Sequence, residues 1–382
     1  MAGTGEESDV HHVAHAASSR LHDVGRANFT FAGLCALLLT LAMVAVAFVE
    51  HLPIRDPDGV VVPTYVRLPI ILLIAWLLDV LPRSLVRTRT QWRSAWRDFR
   101  AVVRERWTRS HVAFAVSGLA AWYVCYAAFR NLKSYVPFVH EGTFDRTFHH
   151  LDRTLWLGHD PADVLHSWFG TTWAAEFFSA IYVIWIVLIP VTLAVALVWT
   201  RHPSAGSWFV TAVAVDWLLG VATYFALPTL GPIYSSPGDF AALRHTYATT
   251  LEENLLSDRH AVLANPHATD AVQTIAAFPS LHVGIMVTVC LFVTLIGLAR
   301  WIRVTAWVFL ALTVLSTIYL GWHFSLDAVG GAVLGTVAVW IAAIGTGNHV
   351  GGRPRLVDRG GYDGEGASSQ SVQPSAEISR SA

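Results

Sequence analysis

Eight stretches of this chain are almost continuously apolar, and each is bounded by polar or charged residues. They cover about 29–49, 65–82, 111–129, 177–199, 207–227, 281–299, 302–320 and 324–345. A helix needs roughly 20 residues to cross about 30 Å of hydrocarbon, and each stretch is near that length. A helix on a soluble core shows one apolar stripe, whereas these stretches are apolar on most sides. The pattern predicts an all-α fold: a polytopic membrane helical bundle with about eight transmembrane helices.

Composition agrees. Of 382 residues, 54% are hydrophobic and 14% charged, against about 25% charged in a typical soluble domain. The net charge of −1 supplies no basic field, so nucleic acid is not expected as a partner. Cys35, Cys125 and Cys290 all fall inside apolar stretches. They read as small hydrophobes, with neither disulfide nor thiol chemistry expected. Ala45-Val46-Ala47 resembles a signal-peptidase site, but the apolar run before it is longer than a secretory signal needs, so it reads as a retained anchor.

Charge placement gives an orientation. Residues 83–109 carry nine arginines, and Arg201, Arg300 and Arg303 occupy short turns between spans. Cationic loops stay on the cytoplasmic side. The longer loops 130–176 and 228–280 then face outward, and both termini lie inside. The chain divides into a disordered cytoplasmic tail at 1–27, then two N-terminal spans with an arginine-rich interfacial segment at 28–110. A six-span catalytic domain at 111–345 and a second disordered cytoplasmic tail at 346–382 follow. Trp92, Trp96, Phe99, Val103 and Trp107 recur at roughly helical spacing among the arginines. That suits a helix on an anionic membrane surface, and equally a positive loop without lipid specificity. A plasma-membrane location is expected, with membrane lipids as neighbours.

Against this background two histidines stand out. His282 opens the sixth span, after Phe278-Pro279-Ser280-Leu281, and His323 opens the eighth, four residues before Asp327. The seventh span returns the chain, so both histidines reach one face at one depth. His323 and Asp327 share a helix face, where a carboxylate can fix the imidazole tautomer and leave the other nitrogen free to attack. Pro279 and Ser280 suit a helix start, with a capping hydroxyl and a dipole end that favours an anion. Arg130 and Lys133, one turn apart beyond the third span, can neutralise phosphoryl oxygens or anchor headgroups. Gly231, Pro232 and Tyr234 form a rigid turn that either lines the pocket or ends a helix. Asp216, near a span centre, reads as a buried polar pin. The other outer-loop histidines lack metal-ligand spacing, so no metal and no cofactor are expected.

At these residues the sequence resembles the type 2 phosphatidic acid phosphatase superfamily. Pro279-Ser280-Leu281-His282 matches its Pro-Ser-x-His motif, and His323 to Asp327 matches the His-x-x-x-Asp end of its third motif. The Phe-Pro-Ser-Leu-His wording, Gly330-Gly331 and, more loosely, Leu151-Asp152 through Asp160-Pro161 are similar to the inositol phosphorylceramide synthase-like branch. Two features depart from the superfamily: Thr317 stands where the third motif has arginine, and the first motif is not present in its usual form. The resemblance implies a phosphatidic acid phosphatase-like catalytic core and a phosphohistidine on His323, oriented by Asp327. It implies that His282 protonates the leaving alcohol and then activates the acceptor. The substrate would be a lipid-linked phosphate or phosphodiester, with an alcohol or water as acceptor. A broad lipid-phosphate or polyprenyl-diphosphate phosphatase is the alternative within the fold, and a non-catalytic transporter or scaffold the alternative outside it.

Overall fold

The computed structural model describes residues 29–57, 64–88, 94–200 and 202–357. The expected N-terminal tail, Arg89, Arg93 and Arg201, and residues 358–382 lie outside the described residues. The fold is all-α. In chain order the helices are α1 (Thr30–Val49), α2 (Thr64–Thr88), α3 (Ala95–Arg106), α4 (Arg109–Val139), α5 (Asp145–Leu155) and α6 (Pro161–Phe169). Then come α7 (Trp173–Ala194), extended by a π-helical turn at Val195–Trp199, α8 (Pro203–Ala226), α9 (Tyr247–Ala264), α10 (Leu281–Leu295), α11 (Arg300–Tyr319) and α12 (Ser325–Gly345).

Every apolar stretch is a helix. Seven of them (α1, α2, α4, α7, α8, α11 and α12) are long and apolar enough to cross a membrane, and α10 is a shorter apolar helix. The protein is therefore a polytopic membrane bundle. Outward-facing apolar side chains such as Leu37, Leu38, Leu41 and Phe48 of α1 are exposed, as hydrocarbon contact requires. α8 is buried nearly all round and packs against α1, α4, α10 and α12. Its Asp216 is fully buried, and accepts a hydrogen bond from Thr288 Oγ1 of α10 at 2.9 Å.

α10 and α12 approach closely because both carry glycine at the crossing. A Cβ on Gly331 would collide with the Ser280 carbonyl, and one on Gly335 with the Gly284 carbonyl. The Gly331-x-x-x-Gly335 spacing thus serves a contact inside the bundle. That contact places the start of α10 beside the start of α12.

Two expectations change. The third span does not end near residue 129. Asn131, Leu132, Ser134, Tyr135 and Val136 keep a buried face, so α4 runs on to Val139 and holds Arg130 and Lys133 within the helix. The tail expected from residue 346 is ordered over 346–357. His349–Val350 pairs antiparallel with Arg353–Pro354. Before it, the Asn348 side chain accepts from Ser204 Oγ at 2.8 Å and donates to the Thr346 hydroxyl at 2.9 Å. Composition alone does not reveal such tertiary partners. Within the arginine-rich stretch, residues 95–106 form α3, which is fixed to α2 by Arg106 on the buried Asp79 at 3.2 Å and leaves Trp96 and Arg97 exposed.

Candidate active site

The turn between α11 and α12 delivers His323. Its backbone N–H donates to the Thr317 carbonyl at 3.2 Å, and the ring is buried, only 4% exposed. Four residues on, Asp327 is fully buried, and its Oδ2 accepts from His323 Nδ1 at 3.2 Å and from the Phe324 N–H at 3.0 Å. With Nδ1 donating, Nε2 keeps its lone pair, and it faces His282 Nδ1 at 3.0 Å. Asp327, His323 and His282 therefore form one hydrogen-bonded line. His282, on the first turn of α10, is held from the other side by rings. Trp185 lies 4.2 Å and Tyr182 4.9 Å away between centroids, and Trp185 Nε1 donates to the His282 carbonyl at 3.0 Å. Unlike His323, His282 keeps part of its surface open.

Burial first, then the neighbouring His282 and the Lys133 charge, hold the His323 imidazole well below its ordinary pKa. The ring is thus neutral at physiological pH and its lone pair is available, as a nucleophile requires. Lys133 reaches this region from α4, where its ammonium sits 4.7 Å from the Tyr224 ring centroid and acts on both imidazoles. Arg130 goes elsewhere. It donates to the Pro57 carbonyl at 3.2 Å and lies over Tyr126 at 5.9 Å. One turn of helix separates the two cations, yet only Lys133 is brought to the histidine pair.

Ser280 is fully buried at the α10 start. Its hydroxyl accepts from the Val283 N–H at 3.4 Å, and its own N–H donates to the Asp327 carbonyl at 2.9 Å. It ties the starts of α10 and α12 together. Gly231, Pro232 and Tyr234 lie behind the histidine turn. Gly231 has φ +100°, and a side chain there would meet the Trp322 carbonyl. Tyr234 packs edge-on to Trp322 at 6.0 Å, and Trp322 stacks on Tyr182 at 4.9 Å. These residues brace the wall that carries His323. Thr317, where the superfamily motif has arginine, is fully buried and donates to the Val314 carbonyl.

Two carboxylates that sequence reasoning did not place in the site support it from α5. Asp152 accepts from the Ser325 N–H at 2.7 Å and the Leu326 N–H at 3.1 Å, capping α12 from a distant segment. Trp156 Nε1 adds a bond to Ser325 Oγ at 2.9 Å. Asp145 accepts from the Leu230 and Gly231 amides at 2.9 Å each. A cap supplied from so far along the chain leaves no local signal beyond an acidic residue on a short amphipathic helix. Replacing Asp152 by alanine orphans two amides beside His323. It is expected to destabilise the fold by about 2–3 kcal/mol, read as a lowered midpoint in a thermal melt in detergent.

A membrane bundle with a histidine–histidine–carboxylate line and a cation at one end of its helices defines a class of phosphoryl-handling membrane proteins. The comparison with known families agrees: a model of the PAP2 superfamily matches residues 146–341, just over half of the chain, and the chain belongs to that superfamily. This places it in a family of phosphatases and phosphotransferases. The match begins within α5, so Lys133 on α4 lies outside it. No curated protein and no solved structure matches the chain.

Proposed function

We propose that this chain is an integral membrane phosphotransferase or phosphatase working through a phosphohistidine on His323. Its substrate is a lipid-linked phosphate or phosphodiester, its active site lies on the extracytoplasmic face, and its transfer reading is that of an inositol-phosphate headgroup. The observation that carries the proposal is the line Asp327–His323–His282, with contacts of 3.2 and 3.0 Å. The outward orientation rests on the arginine distribution.

In the first step the substrate phosphoryl group enters between the two imidazoles and replaces their mutual hydrogen bond. His323 Nε2 attacks phosphorus, the bond from phosphorus to the leaving alcohol breaks, and His282, which takes up a proton from solvent as the anionic phosphate enters beside it, passes that proton to the leaving oxygen. Asp327 balances the positive charge on the phosphorylated ring. In the second step His282 takes the proton of the acceptor hydroxyl. The acceptor oxygen attacks phosphorus, and the P–N bond breaks. Lys133 offers one positive charge to the phosphoryl oxygens, and Thr317 offers none. That balance suits a singly charged phosphodiester better than a doubly charged monoester, and favours headgroup transfer. Hydrolysis of lipid phosphates or polyprenyl diphosphates is the second reading, favoured by the partly open surface of His282, which lets water reach the base.

The test presents purified protein in vesicles with a panel of phosphodiester and phosphomonoester lipids, with and without a polyol acceptor. Transfer predicts a new phosphodiester product that grows with acceptor concentration. Phosphate release indifferent to any acceptor would favour hydrolysis, and no turnover of any lipid would remove the proposal.

A further inference from the structure

Pro137 sits inside α4, and proline has no N–H to donate to the carbonyl four residues back. That carbonyl belongs to Lys133. It does not go unpaired: Gln273, from the loop before α10, donates its Nε2 to the Lys133 carbonyl at 2.9 Å and to the Ser134 carbonyl at 3.4 Å. The Gln273 side chain is fully buried, and its Oε1 accepts from the Ile275 N–H at 3.1 Å and from Arg259 Nη1 at 3.2 Å. Each hydrogen-bonding position of one carboxamide is therefore used, and the four bonds join three parts of the site's support. One side holds the turn of α4 that bears Lys133. Another holds the segment running through Ala277 and Ser280 to His282, and Arg259 adds α9. The same layer is closed by Tyr224, which lies under the Lys133 ammonium and donates to the Pro279 carbonyl at 3.4 Å.

We infer that Gln273 is a positioning residue. Through the carbonyl that Pro137 leaves open, it fixes where the Lys133 ammonium stands relative to the His282–His323 pair. Arg259 steadies Gln273 from α9. This rests on the reading of Lys133 as the cation that meets the substrate phosphate. Its consequence is specific: Gln273 matters because residue 137 is proline. If residue 137 supplies an N–H, the helix satisfies its own carbonyl and the need for Gln273 falls.

The experiment is a double-mutant cycle of Gln273→Leu and Pro137→Ala in the full-length protein in vesicles, with two readouts. The first is kinetics with a phosphodiester lipid. Gln273→Leu alone is expected to raise KM about tenfold with kcat within about twofold, and Pro137→Ala in the same chain should recover most of that loss. The second readout needs no turnover. Lys133 is the sole lysine of the chain, so its modification by acetic anhydride, followed on its peptide by mass spectrometry, reports its accessibility. Gln273→Leu should speed that modification several-fold, and Pro137→Ala should reverse it. If Gln273→Leu does not fold, Gln273→Glu takes its place, since it keeps the acceptor for Arg259 and loses the donor for Lys133. Unchanged KM and labelling in a folded Gln273 variant would overturn the inference, as would losses of equal size with and without Pro137. A Lys133→Met protein with wild-type turnover would instead overturn the underlying reading of the site. The labelling rates would still report the Gln273 contact.

Discussion

His323→Ala is expected to bring lipid phosphoryl transfer to background, a loss of about ten-thousand-fold or more. The expectation follows from position and chemistry together. The ring is the one member of the line whose free nitrogen faces a proton donor while its other nitrogen is held by a carboxylate. Neither Asp327 nor His282 can substitute, because Asp327 lies behind the ring and His282 is clasped by Trp185 and Tyr182. His149→Ala is the control. His149 stands 3.5 Å from Asp160 on a short extramembrane helix, and its loss should leave turnover near wild type. Initial rates at saturating lipid, with size-exclusion profiles to confirm folding, distinguish the two variants.

Asp327→Asn is expected to lower kcat by about a hundredfold to a thousandfold, and the reason is charge more than geometry. Asp327 Oδ2 already accepts both the His323 Nδ1–H and the Phe324 N–H, while Oδ1 is buried without a hydrogen-bond partner. An asparagine can place its oxygen at the Oδ2 position and keep both bonds, so the tautomer of His323 survives. What vanishes is the negative charge facing an imidazole that becomes positive once phosphorylated. In a buried site the carboxylate hydrogen-bonded to that ring stabilises its charge most strongly. KM should move little, since Asp327 does not reach the substrate. A rise in KM with unchanged kcat would assign Asp327 to binding.

The helices were legible because each apolar run is long, sharply bounded and free of competing periodicity. That the two histidines would meet was legible too, since both stand at the mouths of apolar segments that the intervening span returns to one side. The run to Val139 in α4 was not, because Arg130 and Lys133 look like the end of a span until the buried face through Leu132 and Tyr135 is seen. The separate fates of Arg130 and Lys133 depend on which direction each helix face points. Asp152 and Gln273 were illegible for a common reason. Each serves a backbone group far away in sequence, Asp152 the amides of Ser325 and Leu326 and Gln273 the carbonyl of Lys133. The only sequence trace of the second pairing is Pro137, which announces an unpaired carbonyl without naming its partner.

The proposed chemistry turns on a covalent phosphoryl group on His323. Its most direct measurement is rapid mixing of the vesicle-bound protein with a lipid carrying a radiolabelled phosphate, quenched in alkali and followed by peptide mapping. An alkali-stable, acid-labile label is expected on the peptide containing His323. The label should appear before product, be lost on adding an acceptor, and be missing from His323→Ala. Turnover without any label on that peptide, or with the label on His282, would contradict it.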